Sequence, residues 1–228
     1  MSTKDQLSGS KKSPKKIANR TRHRLKSIRF DMEQFCRPTL RLFERYPVLA
    51  NERCGTWYAK PFTDSSCYFK STDGHAGTWN FSLKRLNLNV VRIAAESGGC
   101  LILDASASKD LPDSFSRTIP IWAAVLNRVA AIYQREMGSN QKKGWDTTLY
   151  VPPCVTDEER RQIESILDSR VDALYESQAI VNPPWLISTL QKPLRPFWIS
   201  SRSEALAAVA SDECYAVVCL SCCDRVQT

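Results

Sequence analysis

The stretch CLILDAS, residues 100–106, runs apolar from Cys100 to Leu103 and then meets an acid, Asp104. An apolar run this continuous is expected of a central strand whose sheet is covered on both faces. Gly98 and Gly99, just before it, end a helix that Ser82 can cap and in which Leu83, Leu86, Val90 and Ala94 share a face. A buried strand between helices is the unit from which an α/β layered domain is built.

Working outward, Thr118 caps and Pro120 opens a helix striped by Trp122, Val125, Leu126, Val129 and Tyr133. Thr156 and Glu159 form a capping box before a second helix, with Ile163, Ile166, Leu167, Val171 and Leu174 facing inward. LRPFWISS (194–201) and YAVVCLS (215–221) predict two late strands. RCGTWYAK (53–60) and SCYFKST (66–72), bounded by Pro61 and Gly74, predict two short early ones. Leu25, Ile28, Met32 and Phe35 recur at helical spacing. Pro38 should kink or restart that helix and Pro47 should follow its end. No internal repeat is present. The expectation is a mixed sheet with helices packed on its faces, a single α/β domain over residues 20–228 behind a basic disordered tail, 1–19.

The chain has 228 residues, 43% hydrophobic and 25% charged, enough for a substantial core. No apolar run approaches the ~20 residues of a membrane helix, and the basic N-terminus lacks a secretory apolar core. Nine scattered cysteines do not read as a disulfide framework. Cys219, Cys222 and Cys223 form a CxxCC cluster without a second pair at zinc spacing, so buried thiols are favoured over a metal site. Residues 1–30 carry ten Lys or Arg against one Asp and supply the whole net charge of +8. That segment suits a polyanion, a nuclear-import signal in KKSPKK, or simple solvation.

Two stretches carry candidate chemistry. In KSTDGHAG (70–77), Gly74 and Gly77 permit a turn whose amides can face an anion, with Lys70, Ser71 and Thr72 as further donors. Asp73 could orient a hydroxyl or hold magnesium, and His75 could exchange a proton near neutral pH. The plain alternative is a hairpin turn. In LILDASASKDLPD (101–113), Asp104 stands at the carboxyl end of a strand, where open α/β sheets bind ligands. With Ser106, Ser108 and Lys109 it could grip a sugar, a metal or a phosphate; the alternative is a turn or capping aspartate. NERCGTWYAKPF interleaves basic and aromatic residues, with Trp57 read as core and Arg53 left open.

ANERCGTWY (50–58), YFKSTDGHAGTWNFSLKRLNLN (68–89), GGCLILDAS (98–106), PDSFSRTIPIWAAVLNR (112–128) and the late ISS and VVCLS strands together resemble one family. It is the initiator tRNA 2′-O-ribosyl phosphate transferase family of fungi and plants, over roughly residues 22–222. The resemblance implies a pentosyltransferase that moves a 5-phosphoribosyl group from 5-phosphoribosyl 1-diphosphate to the 2′-hydroxyl of a T-stem adenosine in initiator tRNA, barring it from elongation. It implies a cytoplasmic protein with magnesium as a helper ion and no stable protein partner. Lys70, Ser71, Thr72 and Gly74 would then hold donor phosphates, and Asp73 or His75 would help the hydroxyl lose its proton. Asp104 would hold magnesium or ribose, and Arg53, Arg85 and Lys109 would add positive charge. Family members carry a phosphatase-like domain beyond this region, so the sequence ending at CLSCCDRVQT is expected to be truncated there. The alternative expectation is an inactive tRNA-binding fragment.

Overall fold

The central-strand expectation is met by β3 (Gly99–Asp104), every residue of which is buried. The computed structural model describes residues 14–59, 63, 65–138, 145–200 and 212–222. β3 lies in a five-stranded sheet with β1 (Val48–Asn51), β2 (Ser66–Cys67), β4 (Leu194–Ile199) and β5 (Tyr215–Ser221), in the order β2-β1-β3-β5-β4. Every neighbouring pair is parallel, so the sheet is purely parallel where a mixed one was expected. Helices lie in the described connections β1–β2, β2–β3 and β3–β4, and such crossovers bring the chain back to the same end of the sheet for parallel pairing.

Alternate residues feed two cores, as the two-residue period of a strand dictates. Leu49, Cys100, Ile102, Val217 and Cys219 face α4 (Leu88–Ser97), α5 (Ile119–Glu136) and α7 (Pro183–Thr189), with α6 (Asp157–Glu176) packed outside on α5. Ala50, Leu101, Leu103, Val218 and Leu220 face the opposite layer. That layer comprises the end of α1 (Pro14–Asp31), α2 (Arg37–Leu42) and the one-turn α3 (Thr56–Ala59). β5, inserted between β3 and β4, is buried from end to end.

Local differences from expectation have physical causes. Helix α1 already begins at Pro14, so residues 14–19 of the expected tail are helical; residues 1–13 lie outside the described residues. Of the kink or restart expected at Pro38, the restart is found: a π-helical turn over Met32–Cys36 leads into α2, whose first turn holds Pro38. Within RCGTWYAK, residues 53–55 are a turn and Thr56–Ala59 is α3, Lys60 lying outside the described residues; the strand lies upstream, at Val48–Asn51. Only Ser66 and Cys67 of SCYFKST pair as strand. The helix expected from Ser82 starts at Leu88. Half of the capping box is formed: the Thr156 hydroxyl accepts from the Glu159 amide at 3.2 Å, while the Glu159 carboxylate turns to Arg117 and Trp79.

Candidate functional site

β1 is followed by a connection to β2 on one side, and β3 by a connection toward β4 on the other. Their adjacent carboxyl ends therefore form the crevice at which open α/β sheets take ligands. Three polar residues meet there. Asp104, the last residue of β3, is wholly buried. Its Oδ2 accepts from Asn51 Nδ2 at 2.8 Å, Ser114 Oγ at 2.7 Å and Arg53 Nε at 3.2 Å, and its Oδ1 accepts from the Ala105 amide at 2.8 Å.

Asn51 ends β1 and joins three strand termini. Besides Asp104, its amide donates to the Phe69 carbonyl at 2.9 Å and its oxygen accepts from the Phe69 amide at 2.8 Å. Arg53 adds a second bond, to the Ala105 carbonyl at 2.9 Å, and its side chain keeps 29% of its surface exposed. The turn that delivers Arg53 needs Gly55. A Cβ there would lie 1.9 Å from the Leu103 carbonyl oxygen, so only glycine lets this turn lie on β3.

The 70–77 bend packs against a second π-helical turn, Ser114–Thr118, ahead of α5. The Ser114 amide donates to Ser71 Oγ at 3.2 Å, and Thr118 Oγ1 donates to the Lys70 carbonyl at 2.9 Å. Gly74 sits in this contact, where a Cβ would meet Thr118 Oγ1 at 2.6 Å and the Asp113 carbonyl at 2.8 Å. Ser71, Ser114 and Asp104 thus form a chain of hydrogen bonds from the bend to the end of β3. The two sequence-predicted stretches are brought together.

Beside this chain lies a charge cluster centred on buried Asp113. Lys109 Nζ reaches both its oxygens at 2.7 Å, Arg117 Nη1 lies at 3.1 Å, and His75 Nε2 lies at 3.5 Å. His75 itself is half exposed. Arg117 also grips Glu159 through Nε at 2.6 Å and Nη2 at 2.7 Å. The hydrogen bond from Arg117 holds the Glu159 carboxyl below its usual range, and the same bond raises Arg117. The far end of the bend is strapped to α6. Trp79, with φ of 36°, donates Nε1 to Glu159 at 3.2 Å, and Arg170 donates to the carbonyls of Thr78 and Trp79.

The remaining sequence-predicted residues fall into two groups. Lys70 and Thr72 are exposed on the bend, and Asp73 is half-buried there with its carbonyl accepting from the Asn80 amide. Arg85 stacks over Tyr68 at 4.3 Å and lines a cavity of about 380 Å³ with Glu52, Ser66 and Asn87 at the β2 edge. Asp104, expected to hold magnesium or ribose, is engaged on both oxygens by N–H and O–H donors and ties the ends of β1 and β3 together. No group of three His, Cys, Asp or Glu with metal-binding geometry occurs among the described residues. Cys219 and Cys222 are buried thiols raised by desolvation, and Cys223 lies outside the described residues.

Sequence reasoning missed Asn51, Gly55, Asp113, Ser114 and Arg117. The i, i+4 spacing of Lys109, Asp113 and Arg117 was a usable signal for paired charges. It also placed Trp57 in the core, whereas Trp57 is 59% exposed; Tyr58 and Ala59 fill that core instead.

The family model described as Rit1 N-terminal domain matches residues 14–228. An uncharacterized protein of Schizosaccharomyces pombe is 34% identical over 212 residues, which is 92% of this chain and 45% of that protein. The tRNA A64-2′-O-ribosylphosphate transferase of Saccharomyces cerevisiae is 34% identical over 203 residues, 88% of this chain and 39% of that protein. The chain therefore spans less than half the length of these curated relatives. No solved structure matches.

Proposed function

This chain belongs to the Rit1 N-terminal domain family, and on that premise we propose that it is the transferase domain of a tRNA-modifying enzyme. It moves a 5-phosphoribosyl group from 5-phosphoribosyl 1-diphosphate to the 2′-hydroxyl of a T-stem adenosine in initiator tRNA. The observation that carries the reading is the hydrogen-bonded chain Ser71–Ser114–Asp104, which pins a cation-bearing bend to the crevice between β1 and β3.

In the proposed step the 2′-oxygen bonds to C1 of the donor ribose. The bond from C1 to the diphosphate oxygen breaks, and diphosphate leaves with the electron pair. Negative charge grows on the leaving group, so fixed donors aimed there lower the barrier. Lys70, the bend hydroxyls and the exposed edge of Arg53 are the groups suited to it. The proton of the 2′-hydroxyl passes to a base on the bend. His75 is the better fit, because Asp113 can accept from one ring nitrogen and leave the other to act. Asp104 works through others, holding Arg53 and Ser114 in register. Magnesium enters as the donor's own counter-ion, since this ion binds phosphates and keeps much of its water. Asp104 does not fit it as a ligand, and no step is assigned to it.

Incubation of the 228-residue chain with unmodified initiator tRNA, magnesium and ribose-labelled donor should leave label on the tRNA. Label should be lost when the adenosine's 2′-hydroxyl is replaced by hydrogen. Binding of tRNA without any labelled product would overturn the reading in favour of a binding fragment.

A further inference from the structure

Helix α1 is built unlike the others. Between Pro14 and Asp31 it carries Lys15, Lys16, Arg20, Arg22, Arg24, Lys26 and Arg29, and no acid before Asp31. Arg20, Arg22, Arg24 and Lys26 are exposed and have no carboxylate partner among the described residues, while Arg29 pairs with Glu33 at 2.9 Å. A helix that packed only for stability would balance such charge with acids at helical spacing.

Its C-terminal turn is fixed. Ile28 packs on the core that contains Tyr58 and Ala59, and the Tyr58 hydroxyl donates to buried Asp31 at 3.5 Å. Tyr58 belongs to α3, whose previous residue is the exposed Trp57, and α3 follows the turn that carries Arg53 into the crevice. The unpaired cations run on from the turn of α1 that is fixed against α3, α3 bears the exposed indole, and the turn just before α3 carries the crevice arginine. The 70–77 bend approaches the crevice from the other side, with α5 and α6.

We infer that α1 and α3 form a docking track for the RNA acceptor, with α1 cations on phosphates and Trp57 stacked on an unpaired base. The inference rests on the tRNA reading above and deepens it: acceptor and donor enter from opposite layers and meet at Arg53. Charge complementarity selects the partner. Unpaired cations gain affinity by releasing counter-ions from phosphates, and an exposed aromatic face is the usual platform for an unstacked base.

The test is direct binding of an unmodified tRNA transcript, without donor, across roughly 50–200 mM salt, the range over which phosphate contacts change affinity most visibly. Trp57→Ala should weaken binding about tenfold with an unchanged salt slope. The combined change Arg22→Glu, Arg24→Glu and Lys26→Glu should weaken it further and flatten the slope by about three. All four side chains are exposed, and matching thermal melts with wild type will show that the fold is intact. Affinity within twofold of wild type for Trp57→Ala, or an unchanged slope for the charge variant, overturns the track. So does tighter binding of α1 to phosphatidylserine vesicles than to tRNA. Label transfer is read in parallel: transfer with binding insensitive to these variants overturns the track alone. tRNA held through α1 and Trp57 without transfer overturns the transferase reading alone.

Discussion

Ser114 donates its hydroxyl to Asp104 across 2.7 Å, with both side chains fully buried, while its amide donates to Ser71. One residue therefore couples the central strand to the bend that carries His75. Ser114→Ala removes one of four donors to a buried carboxylate. It should cost about 1–3 kcal/mol, read from denaturant unfolding. Asp104→Ala, which leaves Asn51, Arg53 and Ser114 without their shared acceptor, should cost more, about 3–5 kcal/mol. Equal losses for the two would contradict the hub assignment.

Gly74 and Gly77 make a discriminating pair. Gly74 has no room for a methyl group against Thr118 and Asp113, whereas Gly77 faces open space at a φ of 81°. Gly74→Ala should destabilise by about 1–3 kcal/mol through overpacking and impair transfer by shifting the bend. Gly77→Ala should cost on the order of 1 kcal/mol through backbone strain alone, with transfer retained. Thermal unfolding combined with label transfer checks both.

Transfer by His75→Ala should fall about a hundredfold or more near neutral pH, with little change in thermal stability. Its half-exposed ring carries little packing, so activity and stability should separate. Unchanged turnover in both His75→Ala and Asp73→Ala would remove the bend from the chemistry.

The Arg117–Glu159 pair gives a pH signature. Glu159's carboxyl is lowered in the folded protein, mainly by the hydrogen bond from Arg117, so its contribution is fully present above the ordinary glutamate value of 4.5. That contribution is lost as pH falls through the lowered folded value. Glu159→Gln should destabilise by about 1–2 kcal/mol at pH 7 and bring the variant closer to wild type as pH drops below 4. Urea unfolding at both pH values measures it.

Among the described cysteines, thiol reactivity should follow burial. Cys100 is pushed up to about 12 by desolvation, and Cys67 and Cys219 are also raised well above their ordinary value. These should resist a colourimetric thiol reagent until the protein unfolds. Exposed Cys154 and half-buried Cys54 should react in the native state, with mass mapping to assign each site.

Elements with long periodic faces were legible in the sequence. CLILDA, the Trp122–Tyr133 stripe and the Thr156–Glu159 box each state their structure locally. The region around β1 did not. Four residues after Pro47 are too few to show a period, and the adjacent aromatics Trp57 and Tyr58 suit a strand as well as the one-turn helix that they form. The site divides the same way. Asp104 and the bend were visible because an acid after an apolar run and a glycine-bearing polar turn are local signals. Asn51 and Ser114 matter through partners 53 and 10 residues away, and no local pattern records such pairing.

The place of β5 has a consequence for how the polypeptide matures. It pairs with both β3 and β4, yet follows them in the chain. Until residues 215–221 have left the ribosome, β4 has no described strand to join and β3 shows a raw hydrogen-bonding edge. Such unpaired edges recruit foreign strands. The nascent protein must stay shielded until residues 215–221 emerge, and products terminated before them should be prime clients for chaperones or proteases.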